Sequence, residues 1–136
     1  MFNQIFADRL HDFRTFNEKL EDSNENVKDR YDSIYSLVAR IKGVRIIESK
    51  KQQSFKKGNN SVARLAFRGK TLCALLALNP KEYENTKYIF KDFTEVKAHA
   101  NYPMRVKLSS DRQARWTCEL LNDLIVKQGY ELNDIP

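Results

Sequence analysis

Apolar residues recur every three or four positions at the start of the chain, at Phe2, Phe6, Leu10, Phe13, Phe16 and Leu20, with Asp8, Arg9, Asp12, Arg14, Glu18 and Lys19 between them. That spacing lays one apolar stripe along a helix and predicts an amphipathic helix that stops near Ser23. Val27, Tyr31, Ile34, Val38 and Ile41 repeat the pattern, and Gly43 stands where a helix terminator belongs, so a second helix is expected over 25–42. The period then changes. Residues 44–49 are rich in β-branched side chains, 61–68 alternate, and 70–78 are almost all apolar, as expected of a strand covered on both faces. Gly58-Asn59-Asn60 and Arg68-Gly69-Lys70 carry turn chemistry, so the three strands are expected to form an antiparallel meander. Asn79-Pro80 breaks the last of them. A short strand at 88–92, a helical turn near 95–99 and another strand at 104–108 are expected beyond it. Ser110 with Gln113 forms a capping box for a closing helix. Ala114, Cys118, Leu121 and Ile125 line one face of that helix, Trp116, Leu120 and Leu124 widen it, and Gly129 ends it.

These elements predict one α+β domain over 1–136, with N-terminal helices, an antiparallel three-stranded meander plus one or two further short strands, and a C-terminal helix packed on the sheet. Within it, 1–24 is the N-terminal helix, 25–130 the core and 131–136 a tail. A chain of 136 residues suits a single domain and buries enough surface to fold without disulfides or metal. Its 41% apolar content argues against a disordered chain despite 31% charged residues. No apolar run approaches the roughly 20 residues that cross a bilayer, and residues 1–10 lack a charged start followed by an apolar stretch. A soluble cytoplasmic domain without membrane contact is therefore expected. Cys73 and Cys118 both sit inside apolar segments, which suits small reduced core residues better than a disulfide framework.

Charge changes the picture. The formal net charge of +6 is a mild hint of polyanion binding, but its location is sharper. Arg40, Lys42, Arg45, Lys50, Lys51, Lys56, Lys57, Arg64, Arg68 and Lys70 lie in one stretch with a single acid, Glu48, a local charge of +9. The rest of the chain sums to −3. A positive segment on a slightly acidic body is the charge distribution of a localised anion-binding surface. In the alternating strand 61–68, Arg64 and Arg68 share a face, roughly 13 Å apart, a spacing that bridges phosphates of a nucleic-acid backbone. Lys56 and Lys57 fall at an expected hairpin tip beside Gly58, where basic side chains track a groove or guard a sheet edge. Phe55 next to them suits either stacking on a base or the core.

The catalytic signatures are weaker. Arg68-Gly69-Lys70-Thr71 looks like the end of a phosphate-binding loop, but Arg64 stands where the first loop glycine belongs and the expected context is strand-turn-strand. Glu48-Ser49-Lys50 has the Glu-x-Lys form of metal-dependent nucleases, without the partner aspartate on a preceding strand; Asp29 and Asp32 fall on an expected helix. His11 and His99 have no fixed spacing to Cys or Asp, so no metal or other cofactor is expected. An apolar strand raises the pKa of Cys73 and disfavours a nucleophilic role.

The run from Gly69 to Tyr83, GKTLCALLALNPKEY, followed by Thr86-Lys87-Tyr88, resembles a family of uncharacterised bacterial domains that carry a stretch like RGKTLCLYLALDPKEYEDTKY. In that family the stretch follows a strand similar to 61–67 and precedes an Asp-Val segment and a KVKSDR start to the last helix, to which 92–96 and 106–112 are similar. The resemblance covers roughly 27–127 and implies the order helix, strand meander, closing helix. It implies an accessory module, found alone or appended to larger proteins including nuclease-like ones, with no catalytic residues to carry over. Asn79 stands where the family usually has Asp, and Ala74 where it has an aromatic residue or Leu. The helix-plus-meander plan is also similar to double-wing DNA-binding domains. The expected function is non-enzymatic: a nucleic-acid-binding or nucleoprotein-associated domain contacting DNA or RNA backbone through Arg45, Lys50, Lys51, Lys56, Lys57, Arg64, Arg68 and Lys70. The alternative is an adaptor or inhibitor whose basic face meets an acidic protein partner, such as a nuclease or a ribonucleoprotein.

Overall fold

In the computed structural model, which describes residues 14–134, the first helix begins at a cap inside the phenylalanine stripe. Thr15 is extended, its hydroxyl accepts the Glu18 N–H at 3.1 Å, and the Glu18 carboxylate accepts the Thr15 N–H at 3.1 Å. This reciprocal box fixes the start of α1 (Phe16–Glu21). Phe2 to Phe13, the rest of the expected first helix, lie outside the described residues. Asn24 caps α2 (Glu25–Ala39) by accepting from Val27, and the helix ends at Ala39, three residues before the expected end at Lys42, with Arg40 as its C-cap. The chain turns at Gly43, where φ is +81° and a Cβ would stand 2.6 Å from the Lys57 ammonium. The left-handed backbone is what favours glycine there.

The described residues form six strands, β1 (Val44–Glu48), β2 (Gln52–Lys57), β3 (Asn60–Arg68), β4 (Thr71–Leu76), β5 (Lys91–Asp92) and β6 (Met104–Lys107). They form one antiparallel sheet in the order β1-β2-β3-β4-β6-β5. The α+β class holds, with helices of the N-terminal half and α3 (Asp111–Gln128) packed on the sheet. The meander gains a strand over the three expected, because Gln52–Lys57 pairs with β3 and its residues 53–57 also pair with β1. Its sequence, QQSFKK, shows no apolar alternation, yet Gln53 and Ser54 are buried. Each is satisfied by side chains distant in sequence. Gln53 accepts from the Tyr31 hydroxyl at 2.9 Å and donates to Glu48 at 3.1 Å, while Ser54 accepts from Arg64 at 3.1 Å.

One face of the sheet carries the core. Cross-strand rows Ala63, Leu76, Met104 and Leu65, Ala74, Val106 alternate small and large side chains beneath Ile34 and Val38 of α2 and Leu120, Leu121 and Leu124 of α3. Each large aliphatic side chain fully buried there stabilises the fold by about 1.5–3 kcal/mol. Ser110 caps α3 by accepting from Gln113, whose own amide oxygen turns back to Ser109. Gly129, left-handed at φ +69°, ends the helix. Asn79 caps a short 3-10 turn, Pro80–Tyr83, and the Tyr83 and Tyr88 hydroxyls donate to Asp123 and Glu119, tying the strand exit to α3. The expected tail is also tied down: Lys42 donates to Glu131 and Asn133 to Arg40, flanking an Ile41–Leu132 bridge. No helix among the described residues is long and apolar enough to cross a membrane.

Candidate nucleic-acid interface

The opposite face of the sheet is built differently. Alternation places Ser54, Arg64, Leu75, Arg105 and Lys91 in one cross-strand row, and Gln52, Ala66, Cys73 and Lys107 in the next. Over them folds an arm of consecutive turns, residues 93–103, anchored where Phe93 donates to the Pro103 carbonyl at 2.6 Å. Tyr102 of the arm is buried and His99 half-buried.

Arg64 holds this arm. Its Nε donates to Ser54 at 3.1 Å, one terminal nitrogen donates to the Ala98 carbonyl at 2.9 Å and to His99 Nδ1 at 3.1 Å, and its guanidinium lies 4.3 Å from the Tyr102 ring centre. An arginine is always protonated and only donates, so Nδ1 must accept and the ring proton sits on Nε2. Burial, and then the Arg64 charge, push the His99 pKa down, which keeps that ring neutral. Arg64 is therefore a structural clamp. Nε and one of its two terminal nitrogens are engaged in this way, so Ser54 and the arm take up part of the donor set that the sequence reading assigned to phosphate.

The other seven expected residues divide between the two ends of the sheet. Arg45, Lys56 and Lys57 lie at the β2–β3 hairpin, with Arg45 donating to the Gly58 carbonyl at 2.8 Å and Lys57 laid over Gly43. Lys50, Lys51, Arg68 and Lys70 lie at the other end, in the β1–β2 turn, at the last position of β3 and in the β3–β4 turn. The nine residues of β3 separate the two groups by about 26 Å. One basic segment in the sequence thus becomes two clusters in space. Phe55, beside the hairpin lysines, is fully buried against Tyr35 and offers no face to a base.

The second end collects further cations from outside that segment. Lys107, at the end of β6, faces Cys73 and so lies on the same sheet face as Arg68. Phe16 donates to the Lys50 carbonyl at 2.7 Å, which docks α1 beside the β1–β2 turn and brings Lys19 to the rim of a concavity of about 250 Å³ shared with Lys51 and Gly69. A larger hollow of about 480 Å³ adjoins it, with Lys19 and Lys70 among its walls. The side chains of Lys51, Arg68, Lys70 and Lys107 make no hydrogen bond or ion pair with any described residue. Sequence reading missed Lys107 and Lys19 because they lie far from the basic run. Only strand pairing and helix docking bring them to it.

The remaining chemistry is quieter. Glu48 of the Glu-x-Lys tripeptide ends β1 with its carboxylate accepting from Gln53. Cys73 is a buried free thiol whose pKa is pushed up by burial, and Cys118 is likewise unbridged and raised. Among the described residues no three His, Cys, Asp or Glu side chains gather as a metal set. Neither the protein-family models, nor the curated proteins, nor the solved structures with which the chain was compared match it.

Proposed function

We propose that this protein is a non-enzymatic nucleic-acid-binding or nucleoprotein-associated domain that grips phosphate backbone at one end of its sheet. The observation that supports this reading is the convergence of Lys51, Arg68, Lys70 and Lys107 from three separate chain segments, all without a carboxylate partner among the described residues. Like charges gathered on a rigid sheet end repel one another, and phosphate contact offsets that repulsion while releasing counterions. The contacts run to backbone and carry no base readout, so binding depends weakly on sequence. A fluorescence-anisotropy titration with labelled single-stranded and duplex DNA and RNA, over a range of salt, tests the proposal. Four phosphate contacts predict that log K falls against log salt with a slope of about −3.5 on duplex. Absence of binding at low salt overturns it.

A second reading, an adaptor that meets an acidic protein, is favoured by β1. Among the described residues this strand is paired on one side only, and its Ile46 and Ile47 are exposed. Strand addition from a partner would pair that edge and cover both side chains.

A further inference from the structure

Between the arm and the sheet lies a cleft of about 170 Å³ whose floor is Ala66, Cys73 and Leu75 and whose walls are Phe93 and His99. Arg105 enters it from β6 with only 8% of its surface exposed. Its guanidinium sits 4.9 Å from the centre of the Phe93 ring, and Nε and one terminal nitrogen are buried with no hydrogen-bond partner among the described residues. Buried guanidinium N–H groups are the most costly donors to leave unpaired, and such an orphan in a folded protein asks for an occupant. Arg68 stands on the rim, and no Asp or Glu lines the cleft. The neighbouring arginine, Arg64, does not line the cleft and turns Nε and one terminal nitrogen to Ser54, Ala98 and His99 instead.

We propose that this cleft binds a single phosphate group, with Arg105 as the buried fork that receives two of its oxygens and Arg68 as the closing charge. The volume fixes the class of ligand. Drug-sized molecules need pockets of about 300 Å³ or more, whereas the cleft accommodates one tetrahedral anion and the first atoms of whatever carries it. The planar fork of an arginine matches two oxygens of a phosphate in the way a lysine does not. The source is either free phosphate or the terminal phosphate of a nucleic-acid strand. This site shares Arg68 with the contacts of the sheet end, but its buried donor, Arg105, is not one of them.

Titration of the isotope-labelled protein with inorganic phosphate, followed by NMR, tests the assignment, with sodium chloride at matched ionic strength as control. A saturable shift of the Arg105 Nε–H signal and of the Leu75, Phe93 and His99 amides is expected with phosphate and not with chloride. Arg105→Met, which keeps apolar contact with Phe93, is expected to weaken binding roughly tenfold or more. Should that variant fail to fold, Arg68→Gln on the exposed rim is the second probe, with an expected weakening of a few-fold. A dinucleotide carrying a 5′ phosphate, set against its 5′-hydroxyl counterpart, separates the sources: tighter binding than inorganic phosphate assigns a strand end, equal binding assigns free phosphate. Shifts that fail to saturate, that chloride reproduces, or that Arg105→Met and Arg68→Gln leave unchanged overturn the site. Because inorganic phosphate is the probe, that outcome is distinct from failure of the nucleic-acid reading.

Discussion

The two faces of the sheet use the same strands under opposite rules. On the helix side, Leu65, Ala74 and Val106 meet side chains of α2 and α3 in a dry contact that needs only shape and apolarity. On the arm side, the next positions along those strands are Arg64, Cys73, Leu75 and Arg105, and the cover is held by a charge that donates in three directions. The first face stabilises through burial spread over many residues. The second rests on a few polar and cation–π contacts centred on Arg64, so it is the face whose cover is expected to open locally while the sheet stays folded.

This contrast is broken most severely from the helix side. Leu65→Ala is expected to cost about 3 kcal/mol of global stability, read by chemical denaturation, with every backbone amide of the sheet losing protection together. Arg64→Met is expected to cost about 2 kcal/mol, from lost charged hydrogen bonds, but in a different place. Hydrogen exchange should quicken at Val96, His99, Ala100 and Tyr102 of the arm while amides of β3 and β4 keep their protection; a uniform loss would show that the faces are not separable. A smaller effect follows from His99. Its pKa is held below the ordinary 6.5 by burial and then by Arg64, so the unfolded chain takes up a proton there before the folded one does. The stability this supplies is complete above pH 6.5 and is lost as pH falls through the folded pKa. His99→Gln, which still offers Arg64 an acceptor, should flatten that part of the stability profile between pH 7 and 5, leaving the carboxylate losses at lower pH intact.

How far the sequence reveals these faces depends on whether the cause is local. The stripes of α2 and α3, the alternation of β3 and the apolar run of β4 are local signals, and each element lies where its pattern puts it. The strand β2 escapes because Gln53 and Ser54 are buried by partners 10 to 22 residues away rather than by apolarity of their own. The Thr15-x-x-Glu18 box was available in the sequence, but the phenylalanine spacing runs through it and masks the start of α1. Alternation correctly puts Arg64 and Arg68 on one face, yet it carries no information about the arm that turns one inward and leaves the other exposed. Arg105 and Lys107 belong to an otherwise undistinguished short strand. Their importance comes from the pairing of β6 with β4, a contact between residues more than 25 positions apart.

The division of the basic residues between two sheet ends gives the sharpest test of the functional reading. Two variants are compared by anisotropy titration over salt on a labelled duplex: Lys51, Arg68, Lys70 and Lys107 all changed to Gln, and Arg45, Lys56 and Lys57 all changed to Gln. The first is expected to lose most of its affinity, its salt slope falling by about 3.5, while the second keeps binding close to that of the unmodified protein. Equal losses in the two variants, or a larger loss at the Gly58 hairpin, would contradict the assignment of the phosphate grip to the Arg68 end.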